Sequence, residues 1–265
     1  MSRLQSTFKR LAERREKALI AYIMAGDPSL EETETCVRQL AEAGADVIEL
    51  GVPFSDPIAD GPVIQQAAER ALRSGTSLKK ILATVRSLRT KTQVPLVLMA
   101  YYNSIFHYGE AAFCRDAVAA GVDGLIVPDM PTDEAGTIHP LAEKAGLDVI
   151  FLLAPTSPSN RQSRVARLSR GFIYYVSLTG ITGAKLTDKV DVEKKVREIR
   201  RFTKTPVAVG FGIATPDDVR QVARIADGVI VGSALVKLIA EGGASSAADR
   251  LSSFTRSLKA ATLPA

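Results

Sequence analysis

The sequence predicts an α/β barrel of parallel strands, and three observations carry that expectation. Short apolar runs at 17–25, 45–51, 94–101, 124–127, 148–153, 172–177, 207–210 and 228–231 make eight candidate strands. Helical patterns separate them, and strands apolar on both faces between helices belong to a parallel sheet with both faces covered. The eight units occupy most of the 265 residues, near the ~250 at which such alternating chains close on themselves. No Gly-x-Gly-x-x-Gly follows the first strand, which argues against an open dinucleotide-binding sheet. The expectation is a single (β/α)8 TIM barrel in one domain spanning 1–265. An extra N-terminal helix and extra helices after strands two and eight complete it.

Each element has a local reason. Leu4, Phe8 and Leu11 stand at helical spacing in a segment of mixed charge, so about 3–15 reads as an amphipathic helix. The barrel proper is expected at about 17–241. Its first strand ends at Gly26-Asp27-Pro28. Ser29 then caps a helix with Leu30, Thr33, Val37, Leu40 and Ala41 on one face, closed by Gly44. The second strand runs into Pro53, Pro57 and Pro62 with Gly51 and Gly61, a composition that neither helix nor strand absorbs. Helices at 63–73 and from Ser77 to Leu88 follow. Further helices are expected at 109–120, up to Ala145, from Ser157 or Ser159 to Leu168, and near 191–202. The last two strands each run into a glycine-containing turn and a helix, the chain finishing in one at about 244–260.

Composition excludes several classes. The chain is 46% apolar and 24% charged, ordinary for a soluble globular protein. No run approaches the roughly 20 apolar residues of a membrane span. The N-terminus lacks the apolar core of a signal peptide, so a cytoplasmic protein is expected. The net charge of +5 is modest, and the densest basic segment, Lys194–Lys204, has Glu193 and Glu198 at helical spacing. That is a solvated helix face and not a nucleic-acid surface. Cys36 and Cys114 are far apart, inside expected helices and without ligand spacing, so they read as buried small hydrophobes in a reducing compartment. His107 and His139 have no partner at ligand spacing and read as surface residues; no metal site is expected.

Chemistry in such a barrel sits at the C-terminal ends of the strands. There the chain places Glu49, Asp60, Asn103, Asp129, Tyr174 and Tyr175, with turns at Thr182-Gly183, Gly210-Phe211-Gly212 and Gly232-Ser233. The three turns follow strands six, seven and eight, where backbone N–H groups and a helix N-terminus can cradle a phosphate. Glu49 has only apolar or glycine neighbours, so loss of hydration should raise its pKa toward working pH. Asp60, on a loop beside glycine, should be wetter and stay ionised. Two carboxylates held in unlike environments supply an acid/base group and a fixed charge. Lys185 is a weak candidate for a Schiff-base lysine. An isomerase or epimerase of phosphosugars on the same barrel would share the glycine turns. It would also call for a strand-end cysteine, lysine or histidine–metal set, which the sequence does not show.

The segments Ala25-Gly26-Asp27-Pro28, Glu49-Leu50-Gly51-Val52-Pro53-Phe54-Ser55-Asp56-Pro57, Ala59-Asp60-Gly61-Pro62, Gly180-Ile181-Thr182-Gly183 and Gly210-Phe211-Gly212-Ile213 occur in order. With them the chain resembles the tryptophan synthase α-subunit family from about residue 4 to 258. The resemblance implies retro-aldol cleavage of indole-3-glycerol phosphate to indole and D-glyceraldehyde 3-phosphate. It makes Glu49 the general acid/base, Asp60 the carboxylate that stabilises charge at the indole nitrogen, and Tyr174 an active-site tyrosine. It assigns Thr182 and Gly183 to a closing loop, Gly183, Gly212, Gly232 and Ser233 to the phosphate cradle, and Tyr22 and Phe211 to the walls. Tyr22 stands where a phenylalanine could serve, which bears only on how polar that wall is. The resemblance also implies an αββα complex. Its β-subunit makes L-tryptophan from indole and L-serine with pyridoxal phosphate, and this chain needs no cofactor of its own. Asp56, Pro57, Asn103 and Phe106 would face that partner.

Overall fold

The computed structural model describes residues 1–177, 189–210, 212–241 and 246–264. The chain begins with α1 (Arg3–Glu13), β1 (Ala18–Met24), α2 (Leu30–Glu42) and β2 (Val47–Gly51). After β2 come α3 (Pro62–Arg73) and α4 (Leu78–Arg89), then β3 (Leu96–Met99), α5 (Tyr102–Tyr108), α6 (Glu110–Ala120) and β4 (Gly124–Ile126). Next are α7 (Ile138–Ala145), β5 (Asp148–Ile150), β6 (Leu152–Leu153), α8 (Ser159–Leu168), β7 (Ile173–Val176) and α9 (Lys189–Arg200). The series ends with β8 (Val207–Gly210), α10 (Pro216–Ala223), β9 (Gly228–Val231), α11 (Ser233–Ala240) and α12 (Ser246–Ala260).

The strands pair in parallel in the order β5-β4-β3-β2-β1-β9-β8-β7-β6. The two ends of that order, β5 and β6, are successive pieces of one stretch, 148–153. Its first half bonds β4 and its second half β7, so the sheet returns on itself as a barrel. The eight expected strands are therefore all present, the fifth divided at Phe151. One helix was not expected: α5, with Ile105 its one buried residue, follows β3 directly. The extra helices after the second and eighth strands are α4 and α12.

The strand pleat sorts side chains into two cores. Ile20, Val47, Val97, Ile126, Ile150, Phe172, Ala208 and Ile230 fill the lumen, and α1 seals one end of it with Leu4, Phe8 and Leu11. Phe8 and Phe172 lie with ring centroids 5.7 Å apart. Leu19, Ile48, Leu50, Leu98, Leu125 and Val209 face outward to the helices. Ser2 caps α1 with a reciprocal capping box, and Ser29 caps α2 through the Glu32 N–H; Ser77 sits at the start of α4 but makes no side-chain cap bond.

At the sealed end, aspartates stand where strands begin. Asp46, Asp123 and Asp227 each precede a strand and accept a backbone N–H from a neighbouring one: Leu19 at 2.8 Å, Leu96 at 2.8 Å and Val207 at 3.0 Å. Each also meets a cation, respectively Lys259, Arg89 with Arg3, and Arg200. These bonds stitch adjacent strands together and give each of the three carboxylates both a backbone donor and a cation.

Candidate active site

Alternation along β2 settles where Glu49 points. Val47 lies in the lumenal core and Ile48 and Leu50 in the outer one, so Glu49 faces the lumen, in register between Tyr22 and Val97. It is 1% exposed, and neither carboxylate oxygen has a hydrogen-bond partner among the described residues. Burial, helped by the nearby charge of Asp60, pushes its pKa up to about 8. A carboxyl left unpaired in such surroundings carries its proton at neutral pH and can give it away.

Asp60 arrives on the proline-rich loop, and a pair of aromatic rings decides its environment. Tyr101, between β3 and α5, donates its hydroxyl to Asp60 Oδ2 at 3.1 Å and accepts the Ala59 N–H at 2.9 Å. Phe54 stacks on the Tyr101 ring at 5.1 Å. The Asp60 carboxylate is thereby 8% exposed, and burial raises its pKa to about 6 despite the Tyr101 donor, which lowers it. Asp60 is wetter than Glu49, as expected, though burial goes further than its loop position suggests: it is a buried acid, still more acidic than Glu49. The order of the two acids is the expected one.

Two tyrosines cross the lumen beside them, each given room by a glycine. A Cβ on Gly51 would lie 2.2 Å from the Tyr22 hydroxyl, and one on Gly210 would lie 2.6 Å from the Tyr174 hydroxyl. Side chains at these positions would displace the phenols. Tyr174 belongs to the lumenal cluster and Tyr175 to the outer one, so the pleat distinguishes the neighbours. Tyr22, Glu49, Asp60, Tyr174, Gly232 and Ser233 line one cavity at the open end, with Ile64, Met99 and Ile230 as apolar wall. Gly232 caps α11 and Ser233 opens it, so a helix N-terminus faces the two acids across the cavity.

Several expected residues stand elsewhere. Gly212 has φ +72°, a conformation that suits glycine, but does not line the cavity. Thr182, Gly183, Phe211 and Lys185 lie outside the described residues. Asp129 accepts the Tyr102 N–H at 2.9 Å, a structural bond at the start of α5. Asp56 is exposed and accepts the Ser55 hydroxyl at 2.6 Å; Pro57 is half-buried beside it. Asn103 and Phe106 project from α5, Phe106 65% exposed, and Ile58 on the β2 loop is 84% exposed. His107 is exposed as expected. His139 is not a surface residue: it is half-buried, stacks on Phe151 at 5.9 Å and bonds the Leu168 carbonyl at 3.1 Å.

Sequence reasoning missed Tyr101. Its only signal was an aromatic ring at a strand end, two residues before Asn103, and strand-end position was the criterion that found the others. The ion pair of Asp27 with Arg70, both bonds 2.7 Å, was also missed; it ties the loop after β1 to α3, which supplies Ile64 to the cavity wall.

Comparison with known proteins decides what this geometry belongs to. The family model for the tryptophan synthase alpha chain matches residues 8–263. The chain belongs to the tryptophan synthase α-chain family. It is 52% identical to the tryptophan synthase alpha chain of Geotalea daltonii over 260 residues, covering 98% of each. To that of Geobacter sulfurreducens it is 52% identical over 261 residues, covering 98% of this chain and 99% of the relative. Among solved structures it superposes on tryptophan synthase subunit alpha from Legionella pneumophila with a TM-score of 0.92 at 39% identity, covering 99% and 98% of the two chains. A Mycobacterium tuberculosis tryptophan synthase gives 0.92 at 38% identity, covering 100% and 99%. With the family comes its reaction class: the protein is a lyase of indole-3-glycerol phosphate cleavage.

Proposed function

We propose that Glu49 and Asp60 share the work of that cleavage, and that the turn at Gly232 and Ser233 holds the phosphate. The observation that carries the reading is Glu49 itself: an acid 1% exposed, with both oxygens unpartnered among the described residues, in the cavity that also holds Asp60 and the start of α11.

Protonated at rest, Glu49 gives its proton to the indole carbon that bears the glycerol chain. The ring becomes an electron sink. The hydroxyl on the first glycerol carbon then returns its proton to Glu49, a carbonyl forms there, and the breaking carbon–carbon bond leaves its electron pair on the ring. Indole and D-glyceraldehyde 3-phosphate result, with the carboxyl restored. Asp60, the stronger acid, stays ionised at neutral pH and faces the positive charge that develops at the ring nitrogen; fixed charge aimed at developing charge is efficient catalysis. Tyr174 borders the ring, while Thr182, Gly183, Phe211 and Gly212 complete the phosphate end and its closing loop in this reading. The helix N-terminus at Ser233 suits a dianion.

The exposed Phe106 and Ile58, with Asp56, Pro57 and Asn103, are the surface offered to a β-subunit in an αββα complex, where pyridoxal phosphate would reside in the partner. Apolar side chains left in solvent on one rim support that assignment. The two buried free cysteines suit a reducing cytoplasm. Indole release from indole-3-glycerol phosphate, assayed with and without an added β-subunit, tests the reading. Turnover that rises when the partner is added is expected; indifference to the partner would remove the interface assignment.

A further inference from the structure

Among the described residues, the Tyr22 hydroxyl has no protein partner. Tyr101 spends its hydroxyl on Asp60 and Ala59, whereas no hydrogen bond to the Tyr22 hydroxyl exists among the described residues. The side chain is 6% exposed and lines the cavity. A phenol buried to this degree normally finds a partner, so one aimed into an open cavity points to a ligand atom.

Its placement says which one. The root of the ring rests on Gly232, whose Cβ would sit 3.4 Å from Tyr22 Cδ1, and the tip lies over Gly51, whose Cβ would sit 2.2 Å from the hydroxyl. Gly232 belongs to the turn assigned to phosphate, and Gly51 shares the lumenal face of β2 with Glu49. The ring therefore spans the distance between the phosphate and the acid, the course a glycerol chain must take. We propose that the Tyr22 hydroxyl donates a hydrogen bond to the oxygen of the first glycerol carbon, the oxygen that Glu49 deprotonates. As that oxygen gives up its proton to Glu49 it gains negative charge before the carbonyl forms, and a donor from the adjacent strand, in register with Glu49, stabilises it. Tyr22 keeps its own proton throughout. Burial, with Asp60 and Glu49 close by, holds its pKa well above the ordinary phenol value, which suits a donor and rules out a base. This inference rests on the assignment of Glu49 as the acid/base.

The test is Tyr22→Phe in the full-length chain, with Glu49→Gln measured alongside. The ring is kept, so circular dichroism and melting should match the parent. Expected is a kcat lowered about 10- to 100-fold, the range for a bond to a charge-bearing oxygen. The KM and inhibition by inorganic phosphate should stay within about twofold, since the contact strengthens only as the oxygen becomes charged. A kcat equal to the parent's overturns the proposal, as does weakened phosphate inhibition, which would make Tyr22 a structural part of the cradle. If Glu49→Gln is inactive while Tyr22→Phe is normal, the Tyr22 inference alone fails. If Glu49→Gln stays active, the acid/base assignment fails first.

Discussion

The two ends of this barrel use the same chemical group, a carboxylate, in opposite ways. At the sealed end, Asp46, Asp123 and Asp227 each hold a backbone N–H of the adjoining strand and a cation. At the open end, Glu49 is buried more deeply than Asp123 and holds nothing among the described residues. The difference is one of free energy and not of composition. A paired buried acid contributes order and loses stability when its partner goes, whereas an unpaired one costs stability and keeps its proton available. Floor carboxylates are thus spent on the fold, and the rim carboxylate, at the expense of the fold, is left free for the reaction proposed for it.

Replacing Glu49 should break this contrast most strongly. Glu49→Gln removes the proposed proton donor, and turnover should fall by about 10²–10⁴ or more in an indole-release assay. Stability should move the other way. The carboxyl's folded pKa, about 8, exceeds its ordinary value of 4.5, so the folded state holds a proton that the unfolded state has lost between those limits. The parent therefore becomes less stable as pH rises from about 4.5 to about 8, and the glutamine variant lacks that decline. Denaturant melts at pH 4 and pH 9 check it: the variant's advantage should appear only at the higher pH, and an equal advantage at both would refute the argument.

Asp123→Ala should act at the other end with the opposite signature. Arg89, whose side chain is 11% exposed against 4% for Asp123, would be left buried without its counter-charge, and the Leu96 N–H would lose its acceptor. Breaking a buried pair from one side costs about 3–5 kcal/mol. Chemical denaturation should show that loss, while kcat per folded molecule at 25 °C stays near the parent's. A large fall in kcat without loss of stability would mean that the floor is not merely structural.

How much of this contrast the sequence displayed depends on distance along the chain. Glu49 was legible because its warning signs are local: period-two alternation inside an apolar strand, with no polar neighbour to pair with. The eight strands were legible for the same reason, being apolar on both faces. The extent of Asp60's burial was not legible because it is set by Tyr101, forty-one residues away, and by a ring stacked on that tyrosine. Nothing near Asp60 in sequence announces either. The floor aspartates went unremarked since an acid before a strand looks like any loop residue until the adjoining strand's N–H is in place. Helix α5 escaped because Tyr102-Asn103-Ser104-Ile105-Phe106-His107-Tyr108 buries one residue only, so it has no apolar face to read.

Asp60 itself stands between the two classes, and Tyr101→Phe sharpens the comparison where its effect is smallest. The acid is buried like Glu49 but holds one donor, the Tyr101 hydroxyl, as the floor acids hold theirs. That donor lowers a pKa which burial raises to about 6. Without it the pKa must rise, so Asp60 becomes neutral at a higher pH and the charge stabilisation proposed for it at the ring nitrogen is lost sooner as pH falls. The acidic limb of the kcat profile should move upward by about one unit, consistent with a single hydrogen bond to a charged group. Above that limb kcat should fall by about tenfold or less, because Ala59 also loses its acceptor and the loop is held less firmly. If the limb does not move, Asp60 is not the group it reports.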